Sequence, residues 1–152
     1  MTPKNPQQIP AQAIKRIVLV GGCFDLLHFG HTEFLREAKK LGDHLIVALE
    51  SDENVKKTKG ESRPIHAQRQ RRSMLEALSS VDEVISLPIM KTDEDYKTLV
   101  MKVHPNVIAA TEGDPILEKK KILADTIQAD FKIIQKIHTP STSQLAKLLG
   151  LE

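Results

Sequence analysis

Two histidines, His28 and His31, stand three residues apart with Gly30 between them, directly after a β-rich run that leaves through Gly21 and Gly22. A helix beginning there presents unpaired backbone N–H groups and a partial positive charge, which hold an anion without help from side chains. Two imidazoles on one side of that turn add hydrogen-bond donors, and Gly30 allows a phosphoryl group close to the backbone. The chemistry this suits is the gripping of a phosphate chain. The glycines do not follow the G-x-G-x-x-G dinucleotide pattern, because the next glycine after Gly22 is Gly30.

Other segments carry groups that suit the same ligand. Lys56, Lys57 and Lys59 fall in a polar stretch ending at Gly60. Lysine is a mobile point charge matched to phosphoryl oxygens, and a solvated charged segment is the competing reading. Helical geometry singles out Arg71: at ~100° per residue it falls within the stripe of Met74, Leu75 and Leu78, whereas Arg69 points roughly opposite. A charge on a buried face needs an anionic partner, and the candidates are Asp82 and a substrate phosphate. Asp114 followed by Pro115 reads as an N-cap and first helical position. Ser141, Thr142 and Ser143 open a last helix, with Ser141 and Gln144 at capping-box spacing; a second frame puts the cap at Thr139 before Pro140.

The elements that must position these groups alternate. Strands are predicted over residues 14–21, 44–50, 82–87, 106–111 and 131–137. Helical spacing appears around Phe34, Leu35, Ala38 and Leu41, then from a Thr92 and Asp95 capping box through Tyr96, Leu99, Val100 and Val103, and through Ile116, Leu123 and Ile127. Strand and helix in alternation predict βαβ units, hence an α/β, Rossmann-like, doubly wound five-stranded parallel sheet with helices on both faces. Ligands of such sheets bind beyond the carboxyl ends of the strands, which is where His28 and His31 fall.

Length and composition set outer limits. The 152 residues suit one domain over 14–152, preceded by a proline-punctuated tail over 1–13 that is expected to be flexible. A net charge of +2, with acids and bases interspersed, argues against a nucleic-acid or membrane footprint. The single cysteine, Cys23, has no internal disulfide partner. No apolar run approaches the ~20 residues of a membrane span, and a cytoplasmic address is expected.

Six separated motifs then agree in order: G-x-F-D-x-x-H-x-G-H at Gly22 to His31, LGD at Leu41 to Asp43, SDE at Ser51 to Glu53, KGESRP at Lys59 to Pro64, the arginine ahead of VDEVI, and STS at Ser141 to Ser143. Together they resemble the H-x-G-H nucleotidyltransferase superfamily from about Ile17 to Leu149. The resemblance implies transfer of a nucleoside monophosphate from ATP or CTP to a phosphorylated small molecule, with Mg²⁺ accompanying the nucleotide and no metal ligand set of the protein's own. It implies catalytic roles for His28, His31 and Lys59. Nucleotide contacts are implied from Gly22, Cys23, Phe24, Gly30, Asp114, Ser141, Thr142 and Ser143, and acceptor contacts from Lys57 and Arg71. Homodimers are common among members, so a homodimer is compatible with the resemblance. KGESRPI resembles the adenylyl-transferring heptose branch, and KIHTP stands where the glycerol-3-phosphate cytidylyl branch has an arginine-containing stretch. Both features favour ATP. Cys23 occupies a position where members commonly carry threonine.

Overall fold

A computed structural model describes residues 15–152; the tail expected over 1–13 lies outside them. Five parallel strands, β1 (Ile17–Gly22), β2 (His44–Leu49), β3 (Glu83–Ser86), β4 (Val107–Thr111) and β5 (Asp130–Ile134), lie in the order β3-β2-β1-β4-β5. The chain builds outward from β1 to β3, then returns to the other side of β1 with β4. That reversal makes the carboxyl ends of β1 and β4 the topological switch point, the expected place for a ligand in such sheets.

The sheet is covered on both faces, which explains its near-continuous apolar strands. One face buries Val18, Val20, Leu45, Val47 and Leu49 against Leu35 and Ala38 of α1 (Phe29–Lys39) and Leu75 of α3 (Gln68–Glu76). The other buries Leu19, Ile46, Ala48 and Ile108 against Val100 of α4 (Asp93–Val103) and Ala124 of α5 (Leu117–Thr126). The fold class read from the alternation is the one observed. No helix among the described residues is long and apolar enough to cross a membrane.

The LGD segment sets the start of β2. The backbone N–H groups of Asp43 and His44 both donate to the Arg16 carbonyl, at 2.8 and 3.2 Å, and the Arg16 N–H donates to Asp43 Oδ2 at 2.8 Å. A Cβ on Gly42 would stand 2.4 Å from that same carbonyl oxygen, so only glycine fits there.

Several boundaries differ from the sequence reading. The polar stretch after β2 is a helix, α2 (Asp52–Lys59), capped by Ser51, whose Oγ accepts from the Asn54 N–H at 3.1 Å. Only Val55 of it is buried, so no apolar period marked it. α5 starts at Leu117, not at Pro115: Asp114 forms a turn ahead of the helix, its Oδ1 accepting from the Ile116 N–H at 2.9 Å. β5 ends at Ile134, short of the expected 137. The last helix, α6 (Thr142–Leu148), takes the Ser141 frame, with the Ser141 N–H donating to Gln144 Oε1 at 2.8 Å. The second frame, capped at Thr139, is not used.

Candidate active site

His28 ends the loop that leaves β1, and α1 begins at the next residue. Its backbone is extended, its Nδ1 accepts from the Gly30 N–H at 3.1 Å, and its own N–H donates to His31 Nδ1 at 3.3 Å. The histidines therefore form a reciprocal cap on α1, and their rings stack with centroids 3.9 Å apart. Because each Nδ1 accepts, each proton of the neutral rings sits on Nε2. Burial, reinforced by the neighbouring His28, pushes the His31 imidazole down to about 4, and burial lowers His28 as well. At neutral pH the pair offers two uncharged Nε2–H donors beside the positive end of a helix.

Gly30 is what lets this pair form. A Cβ there would come within 2.9 Å of both His28 Cε1 and Thr139 Cγ2. Gly30→Ala must displace the His28 ring and break its contact with the Gly30 N–H. A displacement of ~1 Å can cost ~10²-fold in rate, so turnover of this variant should fall at least ~10-fold while its melting temperature changes little; unchanged turnover would dissociate ring position from catalysis.

The loop ahead of the histidines is held by a buried ion pair. Phe24 and Leu26 both adopt left-handed backbone, with φ of 45° and 48°, a costly conformation for bulky residues. Between them the Asp25 carboxylate accepts from Arg63 Nε at 2.8 Å, from the Ile65 N–H at 2.7 Å and from the His66 N–H at 3.0 Å. The Thr142 hydroxyl donates to the Asp25 carbonyl at 2.8 Å. Arg63 Nη1 donates to Ser143 Oγ at 3.3 Å and to Glu152 Oε1 at 3.0 Å. A strained loop, the segment after α2 and the start of α6 are thus one hydrogen-bonded unit. Asp25 and Arg63 stood in the quoted motifs without a role, since nothing local pairs residues so far apart in sequence.

Arg71 is fully buried, and the carboxylate that pairs with it is Asp52 rather than Asp82. Its Nη2 donates to Asp52 Oδ1 at 2.8 Å and to the Glu50 carbonyl at 2.9 Å, its Nη1 to the Cys23 carbonyl at 2.7 Å, and its Nε to the His66 carbonyl at 2.9 Å. Asp82 instead binds Lys39 and the Leu45 N–H. Arg71 clamps the exits of β1 and β2 to each other.

Other expected contacts are distributed as follows. Lys59 closes α2, exposed, and lies near enough for its charge to bear on both His31 and Cys23. Burial raises the Cys23 thiol, and Lys59 opposes this. Phe24 is buried, its ring centroid 5.5 Å from that of His31, and packs behind it. Lys57 is exposed on α2. Asp114 Oδ2 pairs with Lys120 Nζ at 2.5 Å. At the start of α6, Thr142 is buried with its hydroxyl turned into the Asp25 loop, Ser141 Oγ accepts from the Gln144 N–H at 3.2 Å, and Ser143 meets Arg63. Each of these three hydroxyls makes a hydrogen bond within the protein.

Stacked histidines at the switch point of a doubly wound sheet define the class. A family model described as cytidylyltransferase-like matches residues 19–143, and the chain belongs to that family of nucleotidyltransferases. It is similar to the bifunctional protein HldE of Campylobacter fetus subsp. fetus, 39% identical over 132 residues that cover 86% of this chain and 27% of that protein. It is also similar to HldE of Wolinella succinogenes, 37% identical over 133 residues, with coverage of 88% and 27%. The chain spans about a quarter of the length of these relatives. Among solved structures, the lipopolysaccharide core biosynthesis protein from Thermoplasma volcanium GSS1 superposes with a TM-score of 0.67 at 27% identity, covering 81% of this chain and 98% of that one. Pantoate-beta-alanine ligase from Francisella tularensis, with a TM-score of 0.55 at 15% identity and coverage of 83% and 61%, shares the fold alone.

Proposed function

We propose that the chain transfers AMP from ATP to a phosphorylated sugar, releasing pyrophosphate. The observation that carries this reading is the pair of neutral Nε2–H donors fixed at the α1 N-terminus beside Lys59. An oxygen of the acceptor phosphate attacks the α-phosphorus in line; one P–O bond forms, and the bond to the bridging oxygen of the leaving pyrophosphate breaks. The acceptor monoester, with a second pKa near ~6, is already largely ionised at neutral pH, so a general base has little to contribute. What the protein supplies is alignment and stabilisation of charge developing on the α-phosphoryl oxygens. His28 and His31 donate to those oxygens without repelling Lys59, because both rings are uncharged.

Lys57, exposed on α2, would meet the acceptor phosphate. The α6 start contributes by holding the Asp25 loop through Thr142 and, with its remaining N–H groups, by facing the outer phosphates. No group of three or more His, Cys, Asp or Glu among the described residues forms a cage for a resident ion. Mg²⁺ would arrive on the triphosphate, where it screens charge on the leaving group. The lone Cys23 suits a cytoplasmic setting.

Adenine is favoured by the similarity to HldE and by KIHTP in place of an arginine-containing stretch. Binding to the folded state alone raises stability by ~2.7 kcal/mol at a hundredfold excess over Kd. A thermal-shift series with ATP and CTP should therefore show a clear rise with ATP and a smaller one with CTP. The reverse order would assign a cytidylyltransferase.

A further inference from the structure

Glu50 follows β2 directly and its side chain lies on the α4 face of the sheet. Its Oε1 accepts from the Tyr96 hydroxyl at 2.9 Å, while Oε2 is buried without a hydrogen-bond partner among the described residues. Buried acceptors are nearly always matched, so an orphaned carboxylate oxygen at a ligand-binding sheet end calls for a reason. No part of the nucleotide grip described above uses it.

The group is braced on every side. The Glu50 N–H donates to the Gly22 carbonyl at 3.1 Å, and the Glu50 carbonyl accepts from Arg71, which also holds the Cys23 carbonyl. Tyr96, on α4, has Asn54 Nδ2 3.5 Å from its hydroxyl, and Asn54 is tied to the Met90 backbone at both ends of its amide. The pair is therefore fixed by β2, α2 and α4, beside the β1 exit and next to the helix that carries Lys57 and Lys59. The terminal carboxylate torsion is soft, so Oε2 can adjust toward a donor without moving the backbone while Oε1 stays near the Tyr96 hydroxyl.

The surroundings select the kind of donor that fits. Lys120 and Arg71 already bear positive charge on Glu50. An added ammonium group would be repelled by both, whereas a neutral O–H brings a proton without a charge. We infer that Glu50, held in place by Tyr96, reads a hydroxyl on the carbon skeleton of the acceptor and so selects polyhydroxylated phosphate esters over plain alkyl phosphates. This rests on the nucleotidyl-transfer reading and adds the acceptor's skeleton to it. Glu50 is the specificity-determining residue and Tyr96 its positioning residue.

The test is pyrophosphate release with ATP and four acceptors: glucose 1-phosphate, mannose 1-phosphate, glycerol 3-phosphate and ethyl phosphate. The wild type should favour a sugar phosphate over ethyl phosphate at least ~10-fold in kcat/KM. Glu50→Gln should lose ~10- to 100-fold on the sugar phosphate, the range for a hydrogen bond to a charged group, and keep its rate on ethyl phosphate and its thermal shift with ATP. Tyr96→Phe should move in the same direction by less. Sugar selectivity retained in both variants overturns the inference and leaves nucleotidyl transfer intact. No pyrophosphate from any acceptor overturns the transfer reading itself. In that case, sugar-phosphate thermal shifts measured with a non-hydrolysable ATP analogue still judge Glu50: a shift lost in Glu50→Gln supports its role, and one retained, or none in the wild type, refutes it.

Discussion

His31→Ala is expected to fold as the parent does and to lose turnover by about 10²–10³-fold, the usual cost of removing one preorganised donor to a charged transition state. The fold should survive because the lost ring takes with it an acceptor for the His28 N–H and its contacts with the His28 and Phe24 rings, but no hydrogen bond to another strand or helix. His31→Gln separates two accounts of the ring. A glutamine amide places an uncharged N–H donor near the position of Nε2, so if the imidazole works while neutral, this variant should recover part of the lost rate. An imidazolium role predicts no recovery. Burial and His28 hold the ring down to about 4, which favours the neutral account at every physiological pH. Near-wild-type turnover in His31→Ala would remove the histidines from the mechanism.

Asp25→Ala should cost about 3–5 kcal/mol, because it strands the Arg63 guanidinium in a site where the two side chains are 0% and 2% exposed. The remaining partners of Arg63, Ser143 and Glu152, engage Nη1 and leave Nε unmatched. A domain of this size has about 5–15 kcal/mol in hand, so urea unfolding should register a large drop in midpoint. Replacing both partners, Asp25→Ala with Arg63→Met, should be less damaging than the two single losses added together. A single-variant loss under about 1 kcal/mol would mean that the pair carries little of the loop. The pH dependence has a definite sign. Burial alone would raise the Asp25 carboxyl, but the His66 and Ile65 N–H groups and Arg63 outweigh it and hold it below its ordinary 3.8. The unfolded chain then binds the proton first, so this stabilisation is complete above that value and is lost as pH falls toward the folded one. His31 acts earlier in the same direction: the unfolded ring charges below 6.5, the folded one only near about 4, and stability declines across that interval. His31→Gln should flatten the earlier decline and leave the later one.

The parallel sheet was legible because its strands are buried on both faces and its helices on one, which writes two different periods into the chain. The histidine pair was legible because glycines, a strand exit and a helix start coincide within ten residues. α2 was not, since a helix with one buried residue has no stripe to detect. Arg71 shows both outcomes. Its position on a helix stripe foretold burial, but its partners are three carbonyls and Asp52, reached only when β1, β2 and α3 meet.

By itself, the sequence determined the class of fold, the address of the histidine-capped turn and the two rings that occupy it, because each depends on residues close together in the chain. Only the tertiary structure decided which tautomer those rings hold, which carboxylate neutralises Arg63, and that Thr142 serves the Asp25 loop. Those outcomes depend on groups from distant segments competing for the same donors and acceptors in a dry interior, and no local pattern records who wins.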